Sequence, residues 1–158
     1  MKVKRASKKE LKKIAEIASE NFSGLKEKNK ALKWIACNFN AYPRMQYFVA
    51  ELDNKIIGYI LWLEKGGFRS ESVWELEQIA VKKLFQGQGV GTELINQSLE
   101  GIKKYLQKRG SQLKAIEATT GKDNLAQNLY KKTLAANAEC VIKDLFRGDE
   151  VVMIARFK

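Results

Sequence analysis

The segment that most constrains the fold is a β-rich run that enters a glycine loop and leaves it as a long helix. Glu75-Leu76-Glu77-Gln78-Ile79-Ala80-Val81 belongs to a strand expected over residues 73–81. Residues 82–85 lead into Gln86-Gly87-Gln88-Gly89-Val90-Gly91-Thr92, and Val90, Leu94, Ile95, Leu99, Ile102 and Leu106 then recur at helical spacing. Gly110 stands where such a helix stops. Residues 113–119 read as the next strand, so the middle of the chain is a βαβ unit.

The flanking segments complete a mixed sheet. Residues 2–6 read as a first strand. Ser7 with Glu10 forms a capping box for a helix carrying Leu11, Ile14, Ala15, Ala18 and Phe22. Ser23-Gly24 breaks it, and a second helix is expected over 25–38. Tyr47–Ala50 and Ile56–Trp62 are β-rich, with Asp53-Asn54 as the hairpin turn between them. After the middle unit come a helix over 124–134 and a closing strand pair, 139–145 and 151–157. The order is βααβββαβαββ, which predicts an α/β (α+β) fold with a central, mostly antiparallel sheet and helices on both faces. With one proline, Pro43, no repeat and no low-complexity linker, residues 1–158 read as one domain.

Composition narrows the chemistry. The chain is 45% hydrophobic and 30% charged, a globular balance. Its net charge of +11 favours an anionic partner: a nucleotide cofactor, nucleic acid or an acidic protein surface. It has no histidine, which excludes Ser-His-Asp and Cys-His pairs and any His-ligated metal. A general base must be Glu, Asp, Lys, Tyr or water. Cys37 and Cys140 form no CxxC and read as reduced thiols packed as small apolar side chains, and no metal is expected. No apolar run reaches the ~18 residues of a membrane span. The basic start, residues 1–5, has no long apolar stretch behind it, so the cytoplasm is expected and no membrane partner.

The glycine loop is built for phosphate. A helix start carries unpaired N–H groups and partial positive charge, and glycines remove the β-carbons that keep an anion away. Thr92-Glu93 after Gly91 excludes a Walker A loop, and the GxGxG spacing of Gly87, Gly89 and Gly91 excludes the dinucleotide fingerprint. The alternative is a tight helix entry with glycines for packing alone.

Gln86-Gly87-Gln88-Gly89-Val90-Gly91 resembles the Q/R-x-x-G-x-G/A acyl-CoA motif of the GNAT superfamily of N-acetyltransferases. Asn124-Leu125-Ala126-Gln127-Asn128-Leu129-Tyr130 resembles that family's second motif, N-x-x-A-x-x-L-Y. The resemblance covers nearly the whole element order. It departs after Tyr130, where Lys131 to Asn137 replace the Gly-Phe that the family usually has. It implies acetyl-CoA as cosubstrate, with its diphosphate on the N–H groups of Gly87, Gln88, Gly89, Val90, Gly91 and Thr92 next to Gln86. The Ile79-Ala80-Val81 strand and Asn124 would meet the pantetheine arm, and Tyr130 would lie near the sulfur.

Acetyl transfer needs a neutral amine, a polarised carbonyl and a proton for the thiolate. Glu75 and Glu77 share a strand face by two-residue alternation, and either one, or a water, is a candidate base; ordinary surface carboxylates are the alternative. Tyr130 is the candidate acid, against a plain core tyrosine. A backbone N–H of Val81 or Ile79 is the candidate oxyanion donor. Lys82, Lys83, Lys122, Lys131 and Lys132 flank the loop and read mainly as a solvated charged face. Trp34, Phe39, Tyr42, Trp62 and Trp74 read mostly as core, with any exposed ones lining an acceptor pocket. The expected activity is transfer of acetyl from acetyl-CoA to an amine of a small molecule or protein, by a monomer or homodimer. A CoA-binding module without catalysis is the alternative, ahead of a basic nucleic-acid binder, for which the sequence carries no aromatic or zinc motif.

Overall fold

A computed structural model describes residues 1–157. In chain order the elements are β1 (Lys2–Arg5), α1 (Leu11–Asn21), α2 (Lys28–Asn40), β2 (Met45–Leu52), β3 (Lys55–Lys65), β4 (Glu71–Val81), α3 (Val90–Lys108), β5 (Gln112–Gly121), α4 (Ala126–Leu134), β6 (Asn137–Ile142) and β7 (Glu150–Arg156). This is the expected βααβββαβαββ order. The strands lie as β1-β2-β3-β4-β5-β7-β6 in one sheet of seven. Every pairing is antiparallel except β4 with β5, which α3 joins as a crossover.

Local signals act as read. Ser7 Oγ accepts the Lys9 N–H (3.3 Å) and Glu10 Oε2 accepts the Ser7 N–H (2.7 Å), closing the capping box. Asp53 and Asn54 both take left-handed φ (48° and 60°), as a tight hairpin requires. Strands run one to three residues longer than their hydrophobic cores at several ends, because ladder bonds continue past the apolar residues. α2 starts three residues late, since residues 23–25 form a short 3-10 turn first.

The sheet divides two cores. On one face α1 and α2 bury Ile14, Ile17, Ala31 and Ile35 against Tyr47, Val49, Tyr59 and Leu61. On the other, α3 and α4 bury Leu94, Ile95, Ile102 and Tyr130 against Phe48, Ile60, Trp62, Trp74 and Met153. Trp62 and Trp74 are core as expected, but Trp34 and Tyr42 are about half exposed, at 50% and 51%. Both cysteines are exposed, contrary to expectation. Cys37 is on the outer side of α2, and Cys140 is on edge strand β6, where every residue is exposed.

The segment after Tyr130 turns as a glycine-ended helix would. Ala135 stands in the left-handed conformation (φ 53°), and the Ala136 N–H reaches back to Tyr130 O (3.3 Å). Ala136 is then buried in the α3–α4 core. An alanine Cβ is strained there, so Ala135→Gly is expected to raise stability by about 1 kcal/mol. Denaturant unfolding would show this as a higher midpoint at unchanged slope.

Candidate functional site

The site grows from a fork between β4 and β5. These strands pair only from Glu71↔Gln112 to Glu75↔Glu117, although β4 runs on to Val81 and β5 to Gly121. Beyond Glu75 the main chain of β4 has a partner on the β3 side alone. The Lys82 N–H bonds Ile57 O (2.9 Å), so alternation turns the main-chain groups of Ala80 and Gln78 toward β3 and those of Ile79 and Val81 into the gap. Ala80, grouped with those two by sequence, therefore does not present its main chain to the gap. The Val81 carbonyl is engaged already: Gln86 Nε2 donates to it (2.9 Å), tying the glycine loop to the strand end.

β4 also carries a bulge. Leu61 pairs with Gln78 and Trp62 with Leu76, which leaves Glu77 as the extra residue. Ahead of it, Trp74 and Leu76 face the α3 core; after it, Ile79 and Val81 do. Glu75, Glu77 and Gln78 are thus on the α1–α2 face together.

At the loop, Gly87 (φ 73°) and Gly89 (φ 81°) take left-handed conformations with open space where a Cβ would stand. The first α3 N–H with a main-chain acceptor is that of Glu93, to Gly89 O (3.1 Å); those before it have none within the helix. The loop thus presents unpaired N–H groups at a helix start with no side chain in front of its two left-handed glycines, an arrangement suited to an anion. Gly91 has a different use. A Cβ there would come within 3.2 Å of Leu129 Cδ2, so this glycine lets α3 pack closely on α4.

That packing positions the second motif. Asn124 Oδ1 accepts the Ala126 N–H (2.9 Å) and caps α4. One helical turn and a half later Tyr130 is buried, and burial pushes its phenol up to about 12. Burial is the sole cause of that shift; no neighbouring charge or side-chain hydrogen bond contributes to it.

On the α1–α2 face, Lys65 bridges two strands beyond its own. Its Nζ is 2.8 Å from Glu117 Oε2 and 3.2 Å from Glu75 Oε2. Among the described residues Glu77 has no such cation. Burial, and then the Glu75 charge beside it, push its carboxyl above the ordinary range, with Lys65 pulling partly the other way. Lys65 and Glu117 carry no motif signal in the sequence; only the β3–β4–β5 register brings them together.

A groove of about 790 Å³ opens on this face between the α1–α2 connection, α2, β4 and the β6–β7 loop. Phe22, Leu25, Trp34, Gln78, Asn124 and Phe146 line it. A second hollow, about 600 Å³ beside Arg69 and Lys114, is at the opposite end of the sheet from the glycine loop. Among the described residues no helix is long and apolar enough to cross a membrane.

The chain is similar to known proteins in sequence and in fold. The family model for the Acetyltransferase (GNAT) family matches residues 11–135. An uncharacterized N-acetyltransferase of Methanocaldococcus jannaschii is 30% identical over 105 residues, 64% of this chain and 43% of that protein. The match thus spans less than half the length of this curated relative. An aminoglycoside 6'-N-acetyltransferase solved with coenzyme A superimposes at TM-score 0.76 and 13% identity, over 99% of this chain and 97% of that one. A ribosomal-protein-alanine N-acetyltransferase from Brucella melitensis does so at 0.72 and 17%, over 99% and 100%. At these identities the likeness is one of fold.

The raised Glu77 carboxyl has a thermodynamic signature. Between its unfolded and folded pKa, the folded chain keeps a proton that the unfolded chain has lost, so stability falls as pH rises through that window. Glu77→Gln never ionises. Its melting temperature is expected to exceed the parent's at pH 8, and the gain should vanish near pH 4; thermal melts at the two pH values check this.

Proposed function

The chain belongs to the GNAT acetyltransferase family, and on that premise we propose that it moves the acetyl group of acetyl-CoA onto a primary amine by direct attack. The observation that carries the reading is the fork itself. It has unpaired strand edge at Ile79 and Val81, an open glycine loop at one end, and a buried tyrosine on the helix that follows β5.

Acetyl-CoA, when bound, supplies an activated carbonyl and a thiolate leaving group. The N–H groups from Gly87 to Thr92 hold its diphosphate at the start of α3. Ile79 and the Val81 N–H pair with its amide arm as an added strand would, and the side-chain amide of Asn124 meets it from the β5 side. Gln86 serves indirectly, by fixing the loop to Val81.

Glu77 is the base in this reading. An incoming amine arrives as an ammonium with pKa about 8–10 and must lose a proton before its nitrogen can attack. Of the two β4 carboxylates, Glu75 is held by Lys65, while Glu77 is not, and burial pushes the Glu77 carboxyl above the ordinary carboxylate range. As the carbon–nitrogen bond forms, the gap-facing N–H of Ile79 or Val81 donates to the carbonyl oxygen. As the carbon–sulfur bond breaks, Tyr130 gives its proton to the sulfur. A phenol at about 12 keeps that proton throughout the working pH range.

A melt with acetyl-CoA, with ATP as the control anion, tests the cradle: acetyl-CoA at 100 times its Kd stabilises by about 2.7 kcal/mol, a rise of several degrees. Tyr130→Phe is expected to lower turnover by about 10²–10⁴-fold while leaving the acetyl-CoA shift intact. A shift with no transfer to any amine would instead indicate a CoA-binding module without catalysis.

A further inference from the structure

We propose that the acceptor is an amine with one positive charge on an uncharged, apolar body, of the kind presented by an unblocked peptide terminus whose first residue is large and apolar. This rests on the acetyl-transfer reading and names the substrate class for the same site. Two independent features of the α1–α2 face support it.

The first is the number of free charges. Glu75, Glu77 and Glu117 form an acidic cluster at the root of the fork. Lys65 occupies two of them, at 3.2 Å (Glu75) and 2.8 Å (Glu117). Glu77 is left as the one of the three without a cation among the described residues. The phenol of Tyr47 on β2 also faces it, and burial holds that phenol neutral. The fork therefore has a place for one ammonium, not a row of them.

The second feature is the groove that leads to it. Gln78, next to Glu77 and on the same face, forms part of its lining. Its walls are Phe22, Leu25, Trp34 and Phe146, and the two aromatics that face solvent are open to a ligand, at 50% (Trp34) and 76% (Phe146). Its charged lining is Arg147 and Glu150, one of each sign. A polycation laid along these walls would desolvate several ammonium groups with only Glu77 and a Glu150 offset by Arg147 to receive them, in a chain of net charge +11. An apolar body loses nothing there and covers exposed aromatic surface.

The test uses Trp34 as its own reporter. Trp62 and Trp74 are fully buried, so a groove ligand reaches Trp34 among the three tryptophans. Phenylalaninamide, leucinamide, glycinamide and spermidine would be titrated against the tryptophan emission and assayed as acceptors by CoA release. The expected result is a change in emission with the first two. Their kcat/KM should also be at least tenfold above those of glycinamide and spermidine. Trp34→Ala and Phe146→Ala should each raise KM for phenylalaninamide severalfold while the acetyl-CoA melt shift stays. Lys65→Met, which frees two carboxylates, should narrow the gap between spermidine and leucinamide, and Lys65→Arg should restore it.

Spermidine acting as well as leucinamide would overturn the proposal. So would an unchanged KM in both aromatic variants, or an emission that no apolar amine alters while acetyl-CoA still binds. Absence of any acetyl-CoA shift would overturn the acetyl-transfer reading first, and this one with it.

Discussion

Everything in this structure that bears on chemistry depends on two parallel strands that meet and then part. β4 and β5 are bonded from Glu71 to Glu75 and separate after it. Parallel neighbours need a crossover, and α3 provides it. The same connection delivers a helix N-terminus to the open end of the fork, and the turn after β5 delivers α4. The gap, the glycine loop and the placement of Tyr130 are therefore three consequences of one topological event. The close approach of α3 and α4 that Gly91 permits keeps them in fixed relation.

A fork is a wound in a sheet, and the structure compensates at its closed end. There Arg109 at the end of α3 grips the buried Glu64 of β3 through both nitrogens (2.9 and 2.6 Å), while Ser72 of β4 donates to the same carboxylate and accepts from Trp74 Nε1. Breaking such a pair from one side typically costs about 3–5 kcal/mol, because the carboxylate stays buried without a cation. Strand β4 is thus anchored by a polar network on one face near Ser72 and left free along its edge from Leu76 onward.

The charge distribution works against the mean. A chain of net charge +11 concentrates three carboxylates at the root of the fork and then neutralises two with one lysine. Glu77 is held there at a cost in folding free energy, in a bulge that turns it and Gln78 toward the same face. Such a cost is the expected mark of a residue retained for chemistry rather than stability.

What the sequence alone determined is what local physics can write: period and punctuation. The helical repeat from Val90 to Leu106, the Ser7–Glu10 box, the Asp53-Asn54 turn and the strand–glycine–helix passage each act within a few residues. Element order, fold class and the position of Gly87, Gly89, Asn124 and Tyr130 were legible for that reason. Tertiary structure decided the rest. Lys65 and Glu117 stand 52 positions apart and meet only through the register of three strands. The bulge at Glu77 exists only against β3. Gly91 could be told from Gly87 and Gly89 only once Leu129 was beside it. Trp34, Cys37 and Cys140 are apolar in type but exposed, because burial depends on which face another element covers, and no residue's neighbours in sequence specify that.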